Sequence, residues 1–149
     1  MINKTELYNQ CIEKLQTQID DLQAAIDKVQ ESIEGEQSST AGNKFETARA
    51  MGHEELDRLN RQFYNLNQEM NILNQINASI PCESVQLGAL VITDKKMLYL
   101  SVALGKIELN NQVVFAVSVK SPIGQAIIGK MPHDEIRIGK NTEKIISIN

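Results

Sequence analysis

Apolar residues recur through the first half of the chain with a spacing that alternates three and four. The first series runs Tyr8, Ile12, Leu15, Ile19, Leu22, Ile26, Val29 and Ile33, with polar residues between. A second series, Leu56, Leu59, Phe63, Leu66, Met70 and Leu73, repeats it, and Phe45, Ala48 and Gly52 extend it loosely towards the N-terminus. This is the period of a coiled-coil stripe on an α-helix, and two such stripes need each other to leave water. Gly35, directly after Ile33-Glu34, suits the left-handed residue that closes a helix, so the first helix is expected to stop there. Asn43 with Glu46, and Asn3 with Glu6, have the spacing of an N-cap and its reciprocal acidic partner, which starts the second helix at about Lys44 and the first at about Lys4. With about nine residues between them the helices must return antiparallel. Some 30 residues at 1.5 Å rise give each a length of ~45 Å.

Past residue 78 the pattern changes. Ser79-Ile80-Pro81 ends the helical period, because proline lacks an N–H and restricts the residue before it. Short β-type runs follow at Ser84 to Thr93, Met97 to Ala103, Lys106 to Leu109, Val113 to Val119, Glu135 to Ile138 and Lys144 to Ile148, with turns at Asp94-Lys95-Lys96 and Asn110-Asn111. One short helix interrupts them, with Ser121 as N-cap, Pro122 at its first position and Gly129 after its last turn. Ile123, Ala126 and Ile127 would share its inner face. The fold expected is therefore α+β: a coiled-coil hairpin over residues 1–78, its tip at about 34–46, and a small antiparallel sheet with one short helix over residues 79–149.

Composition narrows the functions open to such a chain. Aromatic residues make up only 4% and tryptophan is absent, which argues against a deep aromatic-lined pocket. Residues 1–80 carry seven lysines and arginines against thirteen carboxylates, whereas residues 81–149 carry eight against six. An acidic hairpin is a poor ligand for nucleic-acid phosphates, so direct sequence-specific binding to DNA or RNA is not expected. No apolar run is long enough to span a membrane, and the N-terminal residues lack the apolar core of a signal segment, which together give a cytoplasmic reading. Cys11 and Cys82 have neither zinc-site spacing nor a disulfide framework and read as free thiols. Glu34, Glu36 and Glu46 cluster near the tip and have the oxygen ligands a divalent cation takes. Glu46 has a capping role, however, and Glu34 a solvated helix end, so no metal site of the chain's own is assigned. His53 and His133 share no site in the sequence, and no nucleophile-elbow, phosphate-loop or zinc motif occurs.

One stretch carries a family resemblance. Val117-Ser118-Val119-Lys120-Ser121-Pro122-Ile123-Gly124-Gln125-Ala126-Ile127-Ile128-Gly129-Lys130 resembles the Ile-Ser-x-x-Ser-Pro-Leu-x-x-Ala-Leu-x-Gly-Lys signature of the GreA/GreB-type transcript-cleavage factors of bacterial RNA polymerase. In that family a coiled-coil hairpin precedes an FKBP-like domain. His133 stands where the family commonly has glycine, before Asp134-Glu135. The resemblance implies that the C-terminal domain holds the polymerase through the Lys120, Ser121 and Pro122 region, while the hairpin enters the secondary channel. In the family two tip acids in an Asp-x-x-Glu arrangement then help hold a magnesium ion shared with the polymerase active centre. Setting Phe45 on the family's tip tyrosine puts those acids on Ser38 and Ala41, neither of which is a carboxylate. The expectation is a monomeric regulator of elongation or initiation without efficient cleavage. It would not be an enzyme itself, and at most would stimulate the polymerase's own RNA cleavage. Glu34, Glu36, Ser38, Ala41, Asn43 and Glu46 are its candidate tip residues. Two alternatives stand: a cleavage factor using Glu34, Glu36 or Glu46 as replacement acids, and a coiled-coil adaptor unrelated to polymerase. Prolyl isomerisation is not expected, because the domain offers only Tyr99 and Phe115 towards an aromatic pocket.

Overall fold

The structure, a computed structural model, describes residues 2–37 and 42–149, side chains 36–37 and 42–45 excepted. Among the described residues the chain forms two long helices, α1 (Lys4–Gln37) and α2 (Gly42–Asn74). The strands β1 (Leu90–Thr93), β2 (Met97–Ser101), β3 (Gly105–Leu109) and β4 (Gln112–Ser118) follow, then the short helix α3 (Pro122–Ile127) and the strands β5 (Glu135–Ile138) and β6 (Asn141–Ile148). The class is α+β, with α1 and α2 paired as a hairpin. Contacts divide the chain into two compact units, Leu15–Glu69 and the combination of Met1–Lys14 with Met70–Asn149.

The first of these units is the hairpin arm. On α1 the stripe is buried at Leu15, Ile19, Ile26 and Ile33 and half-buried at Leu22 and Val29; on α2 Leu59 is buried, with Leu56, Phe63 and Leu66 half-buried. Each such side chain removed from water contributes roughly 1.5–3 kcal/mol, the main source of the arm's stability. Gly52 occupies a seam position because Ile33 fills the space beside it: a Cβ there would lie 2.8 Å from Ile33 Cγ1. Both helix ends at the tip differ from the sequence reading. Gly35 lies inside α1, which continues to Gln37, and α2 already begins at Gly42. Asn43 therefore lies in the first turn of α2, not at its cap. Glycine weakens a helix interior by only about 1 kcal/mol, too little to end a helix whose apolar stripe still has a partner.

The second unit joins the base of the hairpin to the sheet. Asn3 caps α1 as expected, its Oδ1 accepting from Thr5 N at 2.9 Å and Glu6 N at 3.2 Å. The six strands lie in the order β3-β4-β2-β1-β6-β5. All neighbours are antiparallel except β2 and β4, which run parallel with Tyr99 opposite Ala116; the expectation of an all-antiparallel sheet is corrected there. The reason lies in the side chains. β3 alternates exposed Lys106 and Glu108 with buried Ile107 and Leu109, a pattern fit for an edge, whereas β4 carries the longer apolar run, burying Val114 and Ala116, and pairs on both of its edges. The hairpin turn Asn110-Asn111, both at positive φ of 52° and 63°, folds β4 inside β3 and against β2.

One face of the sheet packs Val91, Leu98, Leu100, Ile136 and Ile145 with Ile127 of α3. Tyr99 points the other way, fully buried, as are Leu7 and Cys11 of α1, and Tyr8, Cys11 and Cys82 are among its neighbours. The base of α1 thus covers the second face. Lys14 completes that cover at the edge, donating from Nζ to the carbonyls of Leu104 at 2.9 Å and Lys106 at 3.2 Å, which blunts an otherwise open strand.

Candidate functional site: the serine-proline turn and the hairpin tip

The segment between β4 and α3 is built on one serine. Ser121 takes an extended backbone (φ −69°, ψ 158°), and its Oγ accepts from Gly124 N at 3.0 Å while donating to the Ser118 carbonyl at 2.6 Å. The same carbonyl accepts from Ser121 N at 3.1 Å. Ser118 Oγ in turn accepts from Lys120 N at 3.1 Å, and Gln125 Nε2 reaches the Val119 carbonyl at 2.6 Å. Pro122 opens the helix where a missing N–H costs nothing. The outcome is a rigid turn that leaves Lys120 and Pro122 exposed and Ser121 half-buried.

Gly124 holds this turn against the sheet. A Cβ at that position would run into the Ser118 carbonyl oxygen, with Ser118 C and Val119 Cα each 3.0 Å away. Gly124 and Ser118 are the residues of the turn that the sequence reading passed over. A glycine inside a six-residue helix was the available signal. α3 ends at Ile127 with Ile128 as its C-cap, and Gly129 follows at φ +80°, its N–H donating to the Val85 carbonyl at 2.8 Å.

Beside the turn, Leu98, Phe115, Val117 and Ile123 line a shallow groove of about 180 Å³ with Lys96 at its rim. Lys96 is committed elsewhere, its Nζ 2.8 Å from Glu143 Oε2. Glu143 is itself 2% exposed and accepts from Thr93 Oγ1 at 2.7 Å. Of the two aromatics expected nearby, only Phe115 lies in this groove; Tyr99 belongs to the opposite face.

The tip candidates fall in the other unit. Glu34 and Glu46 are exposed, near the C-terminal end of α1 and the N-terminal end of α2 respectively. Glu36 and Asn43 lie in the backbones of α1 and α2, and Ser38 and Ala41 lie outside the described residues. Among the described residues no three His, Cys, Asp or Glu side chains come together to hold a metal ion, and no helix is long and apolar enough to cross a membrane.

No protein-family model matches this sequence, and no curated protein does. A solved structure described as the transcription factor Gfh1 is similar over 93% of this chain and 92% of its own, at 15% sequence identity and a TM-score of 0.37.

Proposed function

We propose that this chain is a Gre-like transcription factor that binds RNA polymerase at its secondary channel and regulates elongation or initiation without efficient transcript cleavage. The observation that carries the reading is the serine-proline turn. The residues that resemble the family signature form a capped, rigid turn, with Lys120 and Pro122 at the surface and Gly124 locked against the sheet. A paired hairpin of the expected helices accompanies it. In this reading Lys120, Ser121 and Pro122 contact the polymerase, and residues 34–46 are what the hairpin presents to it. The chain acts as a monomer in the cytoplasm and has no catalytic centre of its own.

The family's magnesium does not suit the donor set at this tip. Ser38 and Ala41 occupy the positions of the two acids, and neither offers a carboxylate. No cleavage step is therefore assigned through that ion. Exposed Glu34 and Glu46 keep one rival open, a cleavage factor with replacement acids. Incubation with core RNA polymerase followed by size exclusion tests the main reading: co-elution that is lost on adding an authentic cleavage factor supports it, and failure to co-elute overturns it. A backtracked elongation complex then separates the rival, which requires shortened RNA with the wild type and none with Glu34→Ala/Glu36→Ala/Glu46→Ala.

A further inference from the structure

Lys4, in the first turn of α1, is only 6% exposed. Its Nζ donates to the carbonyls of Ile80 at 2.8 Å and Asn149 at 3.0 Å, and stands 3.8 Å from Cys82 Sγ. Among the described residues it forms no ion pair. Cys82 is a free thiol, 7% exposed. The hydroxyl of Tyr99, also fully buried, has no hydrogen-bond partner among the described residues. An amine fixed by two carbonyls against a buried thiol holds nitrogen and sulfur side by side, close enough for one oxygen atom to be shared between them.

We infer that Lys4 and Cys82 form an oxidation-sensitive cross-link, in which one oxygen atom bridges Lys4 Nζ and Cys82 Sγ and ties the start of α1 to the segment entering the sheet. The oxidant is dioxygen. The Cys82 S–H and one N–H of the Lys4 amine break, N–O and O–S bonds form to a single oxygen atom, and the second oxygen leaves as water with both hydrogens. The extra proton of the ammonium passes to solvent. Sulfur and nitrogen each give up two electrons and dioxygen takes the four. From a separation of 3.8 Å, an inserted oxygen atom requires less movement of the Lys4 side chain than a direct S–N bond does. Two equivalents of a dithiol return the four electrons and release the bridging oxygen as water. The link joins positions 78 residues apart, and closing so long a loop restricts the unfolded chain.

Cys11 is an internal control. It is fully buried, and the neighbouring Lys14 donates to the Leu104 and Lys106 carbonyls with no contact to this sulfur like that of Lys4 with Cys82. The test compares full-length protein kept in oxygen-saturated buffer with protein kept anaerobically, by intact mass and by peptide mapping without reductant. The expected product has gained one oxygen and lost two hydrogens, maps to a cross-linked peptide pair containing Lys4 and Cys82, disappears on dithiol treatment and raises Tm by several degrees. Cys82→Ala and Lys4→Arg, which keeps a cation on the two carbonyls, should both lack the product. An unmodified Cys82, oxygen gain without hydrogen loss, or a Cys11–Cys82 disulfide would each overturn the inference. Should Lys4→Arg fail to fold, the wild-type peptide map and Cys82→Ala decide it.

Discussion

At the scale of single residues, the turn before α3 depends on atoms that have no substitutes. Ser121→Ala removes the acceptor for Gly124 N, and loss of a cap of this kind costs about 1 kcal/mol. Gly124→Ala is worse, because its Cβ must displace backbone, and overpacking of this sort costs about 2–3 kcal/mol. Urea denaturation of both variants should place them in that order; a Gly124→Ala protein as stable as wild type would contradict the packing described. His133 presents the opposite case. It sits at φ +75°, where a side chain costs ~1–2 kcal/mol, and it stands where the resembled family has glycine. His133→Gly should therefore raise Tm slightly, the relief of strain exceeding the entropy that glycine adds to the unfolded chain. The serine cap and the proline were legible in the sequence because capping is a local rule. The Gly124 contact and the left-handed backbone of His133 were not, since each depends on where another part of the chain passes.

Burial gives Cys11 a measurable pH signature. Desolvation pushes its thiol up from the ordinary 9.0 to about 11, with Lys14 opposing the shift weakly. The folded state therefore holds the proton more tightly than the unfolded state. The associated stability is fully present below pH 9 and falls as pH rises from about 9 towards 11. Denaturation across that range should show the decline in wild type and a shallower one in Cys11→Ala. Equal slopes would indicate a thiol that titrates normally.

At the scale of elements, the sheet is fastened at the β1–β2 turn by an ion pair between half-buried Lys96 and buried Glu143. Thr93 Oγ1 accepts from Lys95 N and Lys96 N and donates to Glu143 on β6, whose other oxygen meets Lys96. Lys96→Met leaves that carboxylate without its cation and should cost about 3 kcal/mol, while the double variant with Glu143→Leu should recover most of the loss. Additive losses in the double-variant cycle would argue that the two side chains act independently. The sequence showed five of the six strands to within three residues, and placed the start of β1 at Ser84, six residues before Leu90, but it did not show their neighbours. Strand positions follow from alternation and turn residues, whereas the parallel pairing of β2 with β4 joins segments that no local pattern relates. The base of α1 covers one face of the sheet they share. Leu7 and Cys11 were absent from the predicted stripe for the same reason, since they face the sheet and not α2.

At the scale of the whole molecule, the hairpin and the α+β class were readable because a three-four repeat has one physical solution and helix-breaking residues mark its ends. The tip was not. Gly35 and Asn43 carry end signals that the two helices override, and in the proposed reading the family's tip acids fall on Ser38 and Ala41, neither of which has a carboxylate. A polymerase-binding protein with such a tip would occupy the channel without supplying the carboxylates that activate water.

The measurement closest to this claim uses a backtracked elongation complex with magnesium and an authentic cleavage factor, titrated with this protein. The account predicts that the protein alone leaves the RNA uncut, that it suppresses cleavage by the authentic factor as its concentration rises, and that Gly124→Ala weakens this suppression. Cleavage of the RNA by the protein itself, or suppression absent at saturating concentration, would contradict it.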